Sequence, residues 1–152
     1  MDLKNNSTIS LFEKIALFVK KNNLINSQQT IVVGFSGGPD SRLLLEWLLW
    51  YTKDNNRIIA AHLNHQWRSD ADTEERDCFT MAEKLGITFI SKKISEYHNH
   101  IRYNGSKEAF ARLARRMFLE NIAQENNGII ALGHHQDDQI ETFFIRLARG
   151  TT

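Results

Sequence analysis

A parallel β-sheet doubly wound by α-helices on both faces is the fold that this 152-residue sequence predicts. Three observations carry the expectation. Short β-branched apolar runs alternate four times with stretches of helical periodicity. The first run stops at paired glycines directly ahead of a helix, a turn that opens the carboxyl end of a parallel sheet to ligands. Finally, 41% apolar and 24% charged residues with a single proline fit one packed domain, not a disordered or repetitive chain.

The elements follow in order. After a polar start, Leu11, Ile15, Phe18 and Val19 recur at helical spacing as far as Lys21. Residues 1–29 therefore read as a leading helix and connector, and residues 30–152 as the main domain. Ile31, Val32, Val33 and Phe35 make Thr30 to Ser36 a buried parallel strand. Asp40 to Tyr51 is apolar nearly all round, as a helix packed deep on a sheet must be. A strand over Arg57 to Leu63 precedes a polar helix over 70–85 that ends at Gly86, a residue suited to the left-handed cap. Ile87 to Ile94 is the third strand. Ser106 caps the next helix, which runs to Glu125 with Phe110, Leu113 and Met117 as its expected apolar stripe. Gly128 to Gly133 is the fourth strand, and a last helix is expected from about Asp137 through Arg149. The loops after Phe35, Leu63 and Leu132 should then share one rim of the sheet.

Those loops hold the least ordinary residues. In Ser36-Gly37-Gly38-Pro39-Asp40-Ser41 the glycines permit close backbone approach, the helix start aims N–H groups at an anion, and the serines add hydroxyls. Asp40 would repel phosphate unless a divalent cation lay between them, which points to a magnesium-bound polyphosphate. A plain tight turn with an acidic helix start uses the same residues, and the Gly-Lys-Ser/Thr ending of a Walker A loop is missing. In the last motif, Asp137, Asp138 and Glu141 occupy a first helical turn, with Asp138 and Glu141 three apart on one face. Acidic residues are ordinary at helix starts, but three carboxylates opposite a phosphate loop need cations. These could be magnesium, an amine substrate, or Arg149 about three turns along the same face. His134 and His135, with His62 and His65, leave open a two-metal hydrolase. Between Lys107 and Arg116 one helix face is basic, and Arg112 is expected at the phosphate site, with Arg115 and Arg116 divided between that role and a solvated face.

Ser36 to Ser41 after an apolar strand resembles the pyrophosphate loop of the ATP pyrophosphatase (PP-loop) superfamily. With His62-Leu63-Asn64-His65-Gln66-Trp67-Arg68, then Lys107 to Arg116, then Gly133 to Gly150, the order and spacing are similar to the tRNA(Ile)-lysidine synthetase branch across Ile31 to Gly150. The sequence departs from that pattern at Gln66, Trp67 and Arg116. The resemblance implies an ATP-dependent carbon–nitrogen ligase that adenylates the C2 carbonyl oxygen of the wobble cytidine of tRNA(Ile) with a CAU anticodon, releasing pyrophosphate. Free L-lysine then attacks C2, releasing AMP. It implies ATP contacts from Ser36, Gly37, Gly38, Pro39, Asp40, Ser41, His62 and Asn64, the last two through main-chain groups near the adenine. It further implies catalytic roles for Asp40, Arg112, Asp138 and Glu141, a lysine site at Asp137, Asp138, Glu141 and Arg149, and magnesium on Asp40 and Asp138. Another PP-loop enzyme, such as a tRNA thiolase or an amide synthetase, or a non-catalytic nucleotide-binding module, are the competing readings.

Charge and cysteine usage bound the partners. A net charge of +1 supplies no global pull on nucleic acid, so any RNA must meet a local patch. The cluster of Lys107, Arg112, Arg115 and Arg116 less Glu108 is small for a tRNA footprint. Because members of the branch continue past this point, the sequence is expected to be an N-terminal ATP-binding part without its tRNA-binding domains. Cys78 is the sole cysteine, so internal disulfides and four-cysteine zinc sites are excluded and a cytoplasmic setting is expected. No apolar run approaches the roughly 20 residues of a membrane span.

Overall fold

A computed structural model of the chain describes residues 6–26, 28–54, 57–99, 101 and 105–133. The leading helix α1 (Asn6–Lys21) buries Phe12, Ala16 and Val19 on one face, and the indole of Trp47 donates to Phe12 O at 3.1 Å. The alternation then runs β1 (Thr30–Gly34), α2 (Pro39–Thr52), β2 (Ile58–Asn64), α3 (Ala71–Lys84), β3 (Thr88–Lys93), α4 (Lys107–Glu125) and β4 (Gly128–Leu132). Each lies within a few residues of its expected position.

All pairings are parallel, in the order β3-β2-β1-β4. The chain winds outward from β1 to β2 to β3, and α4 then carries it back across β1 to β4. Right-handed crossovers put helices of opposite winding direction on opposite faces. Accordingly α1, α2 and α3 pack with Ile31, Val33, Ile58 and Ala60 on one side, while α4 packs with Val32, Ile59, Ala61 and Ile130 on the other. The order reverses between β1 and β4, and the carboxyl ends of these two strands open a crevice at that switch point.

The buried face of α4 differs from the expected stripe. Ala111, Ala114, Phe118, Leu119 and Ile122 are buried, and Phe110, Leu113 and Met117 flank them half-buried. Small side chains let the helix lie close to the sheet. The same closeness shows at Gly34, where an added Cβ would fall 2.5 Å from Leu132 and 3.5 Å from Leu119. Ser106 caps α4 as expected, its Oγ accepting from Ala109 N at 3.3 Å.

Candidate active site

Where β1 ends, Phe35 N still donates to Ala61 O at 2.8 Å, and the chain then turns through Ser36 and Gly37 into α2. Gly37 sits at φ +77°, a conformation that disfavours side chains. Gly38 precedes Pro39, whose missing N–H costs nothing at the first helical position. A closed set of bonds shapes the turn. Ser41 Oγ donates to Gly38 O at 3.0 Å, and Gly38 N donates to Ser36 Oγ at 3.4 Å. Ser41 has then spent its one hydrogen, so Ser36 is the donor in the 3.2 Å contact between the two hydroxyls. An anion entering the turn takes the hydrogen of Ser36 and meets the positive end of α2.

Three other elements complete the walls. The cavity, about 150 Å3, is lined by Gly34, Ser36, Ser41, Leu63, His65 and Arg115 among others. Gly133, at the end of β4, also lines it. A Cβ there would lie 3.1 Å from Asp40 O, a tight contact with backbone that the glycine spares where β4 approaches the start of α2. Arg115 reaches in from α4. Burial, and then the neighbouring charge of Arg112, lower its proton affinity, but guanidinium remains a cation at any ordinary pH. No carboxylate among the described residues pairs with it. A half-buried cation facing the positive end of a helix demands an anionic ligand more strongly than either feature alone.

Arg112, the arginine expected at the phosphate site, is exposed and does not line the cavity; Arg115, three residues on, does. His62 and Asn64 are buried, but their side chains serve the strand. The Nδ1–H of His62 donates to Phe35 O at 2.9 Å, which fixes the tautomer and occupies the last carbonyl of the β1 edge. Asn64 Nδ2 donates to Asp72 Oδ1 at 2.9 Å and Glu75 Oε2 at 2.8 Å. The main chain refines the expectation further. Because Ala61 O accepts from β1, alternation turns the main-chain groups of Ala61 and Leu63 toward the crevice and those of His62 and Asn64 toward β3.

His65, expected at the rim only as a ligand in the two-metal alternative, lines the cavity. Its Nδ1 is buried without a protein partner, and burial, then Arg115, then His62 lower its pKa, favouring the neutral ring. Beneath the turn lies Cys78, whose thiol burial pushes up to about 11, leaving it inert. Asp40 is half-buried on the first turn of α2. Among the described residues no group of three or more His, Cys, Asp or Glu could hold a metal. Asp40 does not line the cavity, although its carboxylate is a hard-oxygen donor of the kind magnesium takes together with waters and phosphate oxygens. Asp137, Asp138, Glu141 and Arg149, with His134 and His135, lie outside the described residues.

A glycine-built turn at a helix start, at the switch point of a parallel sheet, is matched by family comparison: the family described as PP-loop domain covers residues 8–152. The chain belongs to the PP-loop domain family. The tRNA(Ile)-lysidine synthase of Bacillus cereus is 38% identical to it over 143 residues, 92% of this chain and 30% of that protein. The bifunctional protein TilS/HprT of Listeria monocytogenes is 37% identical over 142 residues, 91% of this chain and 22% of that protein. This PP-loop chain therefore spans less than a third of the length of these curated relatives. Two solved structures share its fold. They are the U34-tRNA thiolase NcsA of Methanococcus maripaludis (TM-score 0.70, 19% identity, 84% of this chain and 45% of that one) and the NH3-dependent NAD synthetase of Campylobacter jejuni (TM-score 0.66, 17% identity, 84% and 56%).

Proposed function

We propose that this PP-loop chain is the ATP-activating part of a tRNA(Ile)-lysidine synthase. The 38% identity to the Bacillus cereus enzyme across 92% of the chain carries the reading. The cavity supports it, because Arg115 and the positive end of α2 converge there on one anion-sized space. The substrates are ATP, the CAU-anticodon tRNA(Ile) and free L-lysine, and the setting is the cytoplasm; among the described residues no helix is long and apolar enough to cross a membrane.

The residues divide the work as follows. Ser36 to Ser41 cradle the β- and γ-phosphates, with Ser36 donating its hydroxyl hydrogen to them. Main-chain groups of Leu63 meet the adenine. Arg115 holds the α-phosphate, where charge builds as the C2 oxygen of the wobble cytidine bonds to phosphorus and the bridge to pyrophosphate breaks. Asp40 and Asp138 would hold magnesium, which supplies charge neutralisation of the polyphosphate when bound. Asp137, Asp138 and Glu141 bind the lysine ammonium groups, with Arg149 balancing their charge. The lysine amine then bonds to C2, and AMP leaves with the oxygen. Arg112 contacts the tRNA side of the same anion path.

A thiolase reading of the same fold is disfavoured by Cys78, a single thiol that is buried and inert. The test has two arms. Calorimetry on this chain should give magnesium-dependent ATP binding that Asp40→Ala weakens about tenfold or more. Joined to the remainder of the Bacillus cereus relative, the chain should incorporate labelled lysine into CAU-anticodon tRNA, and Glu141→Gln should raise the lysine KM or abolish transfer. Wild-type lysine kinetics in Glu141→Gln would remove the lysine-site assignment.

A further inference from the structure

Trp67 is a large aromatic that the proposed chemistry leaves unused. Trp47 is 1% exposed, yet Trp67 keeps 49% of its surface open beside the cavity mouth. Its ring lies 4.9 Å from that of His65 at a 34° tilt; His65 lines the cavity, and Trp67 does not.

The loop that presents it is anchored on both sides. Asn64 is buried and held by Asp72 and Glu75, and its Oδ1 accepts from Gln66 N at 2.9 Å. That bond supports Gln66 at φ +54°, and the Gln66 side chain in turn accepts from Ser95 N at 3.1 Å. On the other side Arg68 is tied to Glu74 at 2.7 Å and Asp70 at 3.8 Å. The backbone just ahead of the indole is therefore held through Asn64 and Gln66, and the exposed Arg68 pairs add little, so a ligand that covers the ring orders less of the loop on binding.

We infer that Trp67 is a stacking platform for an unpaired RNA base at the mouth of the active site. The inference rests on the tRNA reading under Proposed function and names the group that positions the reacting loop. Depth separates it from the ATP site. A ligand inside the cavity meets His65, Ser36 and Arg115, whereas one stacked on the exposed indole lies outside the lining, one ring beyond His65. Unpaired bases are held in this way, with their faces on exposed aromatic rings, and the interaction tolerates any base because each has a π-face.

The experiment titrates a fluorescently labelled CAU anticodon stem–loop RNA into this chain at saturating ATP, following tryptophan emission of the wild type and, for wild type, Trp67→Phe and Trp67→Ala alike, the anisotropy of the RNA label. The RNA should quench wild-type emission. Trp67→Ala should weaken RNA affinity about tenfold, with Trp67→Phe within about threefold of wild type, since a phenyl ring still stacks. ATP affinity should be equal in all three proteins. The inference is overturned if wild-type emission does not respond to the RNA, or if Trp67→Ala binds it as tightly as wild type. It is equally overturned if Trp67→Phe loses as much as Trp67→Ala, or if ATP affinity falls in step with RNA affinity. Failure of the wild-type chain to bind ATP is a separate result, and removes the parent reading instead.

Discussion

Replacing Gly37 by Ala tests whether the turn is held by the conformation and packing described for it. Two costs add. At φ +77° a side chain is strained, by about 1–2 kcal/mol for backbone of left-handed type. The new methyl would also stand 2.8 Å from the Sγ of Cys78, a contact that must be relieved by shifting the turn or α3, at about 1–3 kcal/mol. Gly37→Ala should therefore lose about 2–5 kcal/mol, a large part of the 5–15 kcal/mol typical of a domain but not all of it. Cys78→Ala separates the terms, because it removes the sulfur and leaves the strain. In that background Gly37→Ala should cost only about 1–2 kcal/mol, giving a coupling of about 1–3 kcal/mol between the positions. Urea unfolding of the four proteins, followed by circular dichroism, measures the cycle, and calorimetry on the same samples should find ATP binding weakened in Gly37→Ala. A cost below about 0.5 kcal/mol, or the same cost with and without the sulfur, would refute the steric account.

Further predictions concern the walls of the site. The Cys78 thiol, raised from about 9 to about 11, should react with iodoacetamide about a hundredfold more slowly at pH 8 in the folded chain than in urea. A raised thiol pKa stabilises the fold below the unfolded value, so that contribution should disappear as pH climbs from about 9 through about 11, checked by urea midpoints across that range. Arg115→Ala should weaken ATP binding at least tenfold by calorimetry, and Arg112→Ala should change it about threefold or less, because Arg115 alone lines the cavity. Asn64→Ala should destabilise by about 1–3 kcal/mol in urea by removing a buried donor from Glu75 and Asp72. Burial raises the Glu75 carboxyl, but hydrogen bonds from Ser91 and Asn64 more than offset it and hold the pKa below its usual value. The Lys93 hydrogen bond, then that of Asn64, lower Asp72 in the same way. Stability from depressed carboxylates is present above pH 4 or so and lost on acidification, so Asn64→Ala should flatten that acid loss.

The order of strands and helices was legible because it depends on local periodicity, and the phosphate turn because glycines, proline and serines at one strand end leave few other uses. What the sequence concealed was side-chain partnership. Nothing local marks Asn64 as the group that holds Asp72 and Glu75, since these two come from a helix eight and eleven residues away. Asp137, Asp138, Glu141 and Arg149 fall outside the described residues, and their roles rest on spacing, charge and the resemblance.

The arginines of α4 show what a different weighting of the same letters would have found. Taking the bulky Phe110, Leu113 and Met117 as the inner stripe turns both Arg112 and Arg115 far around the helix from the core. The helix instead turns its small residues inward, with Ala111, Ala114, Phe118 and Ile122 on the buried arc. At about 100° per residue, Arg115 lies about 40° around from Ala111, within that arc, whereas Arg112 lies about 100° around, toward its edge. Such a position would be untenable for an arginine over the middle of a sheet. Because the strands are all parallel, however, the connecting helix runs antiparallel to them, and its first turns stand level with their carboxyl ends. An inward residue there meets the crevice and not the sheet. Arg115, at the middle of this 19-residue helix, still lines the cavity, so it is a ligand-facing residue by geometry, and the alanines that set the rotation are the signal that identifies it.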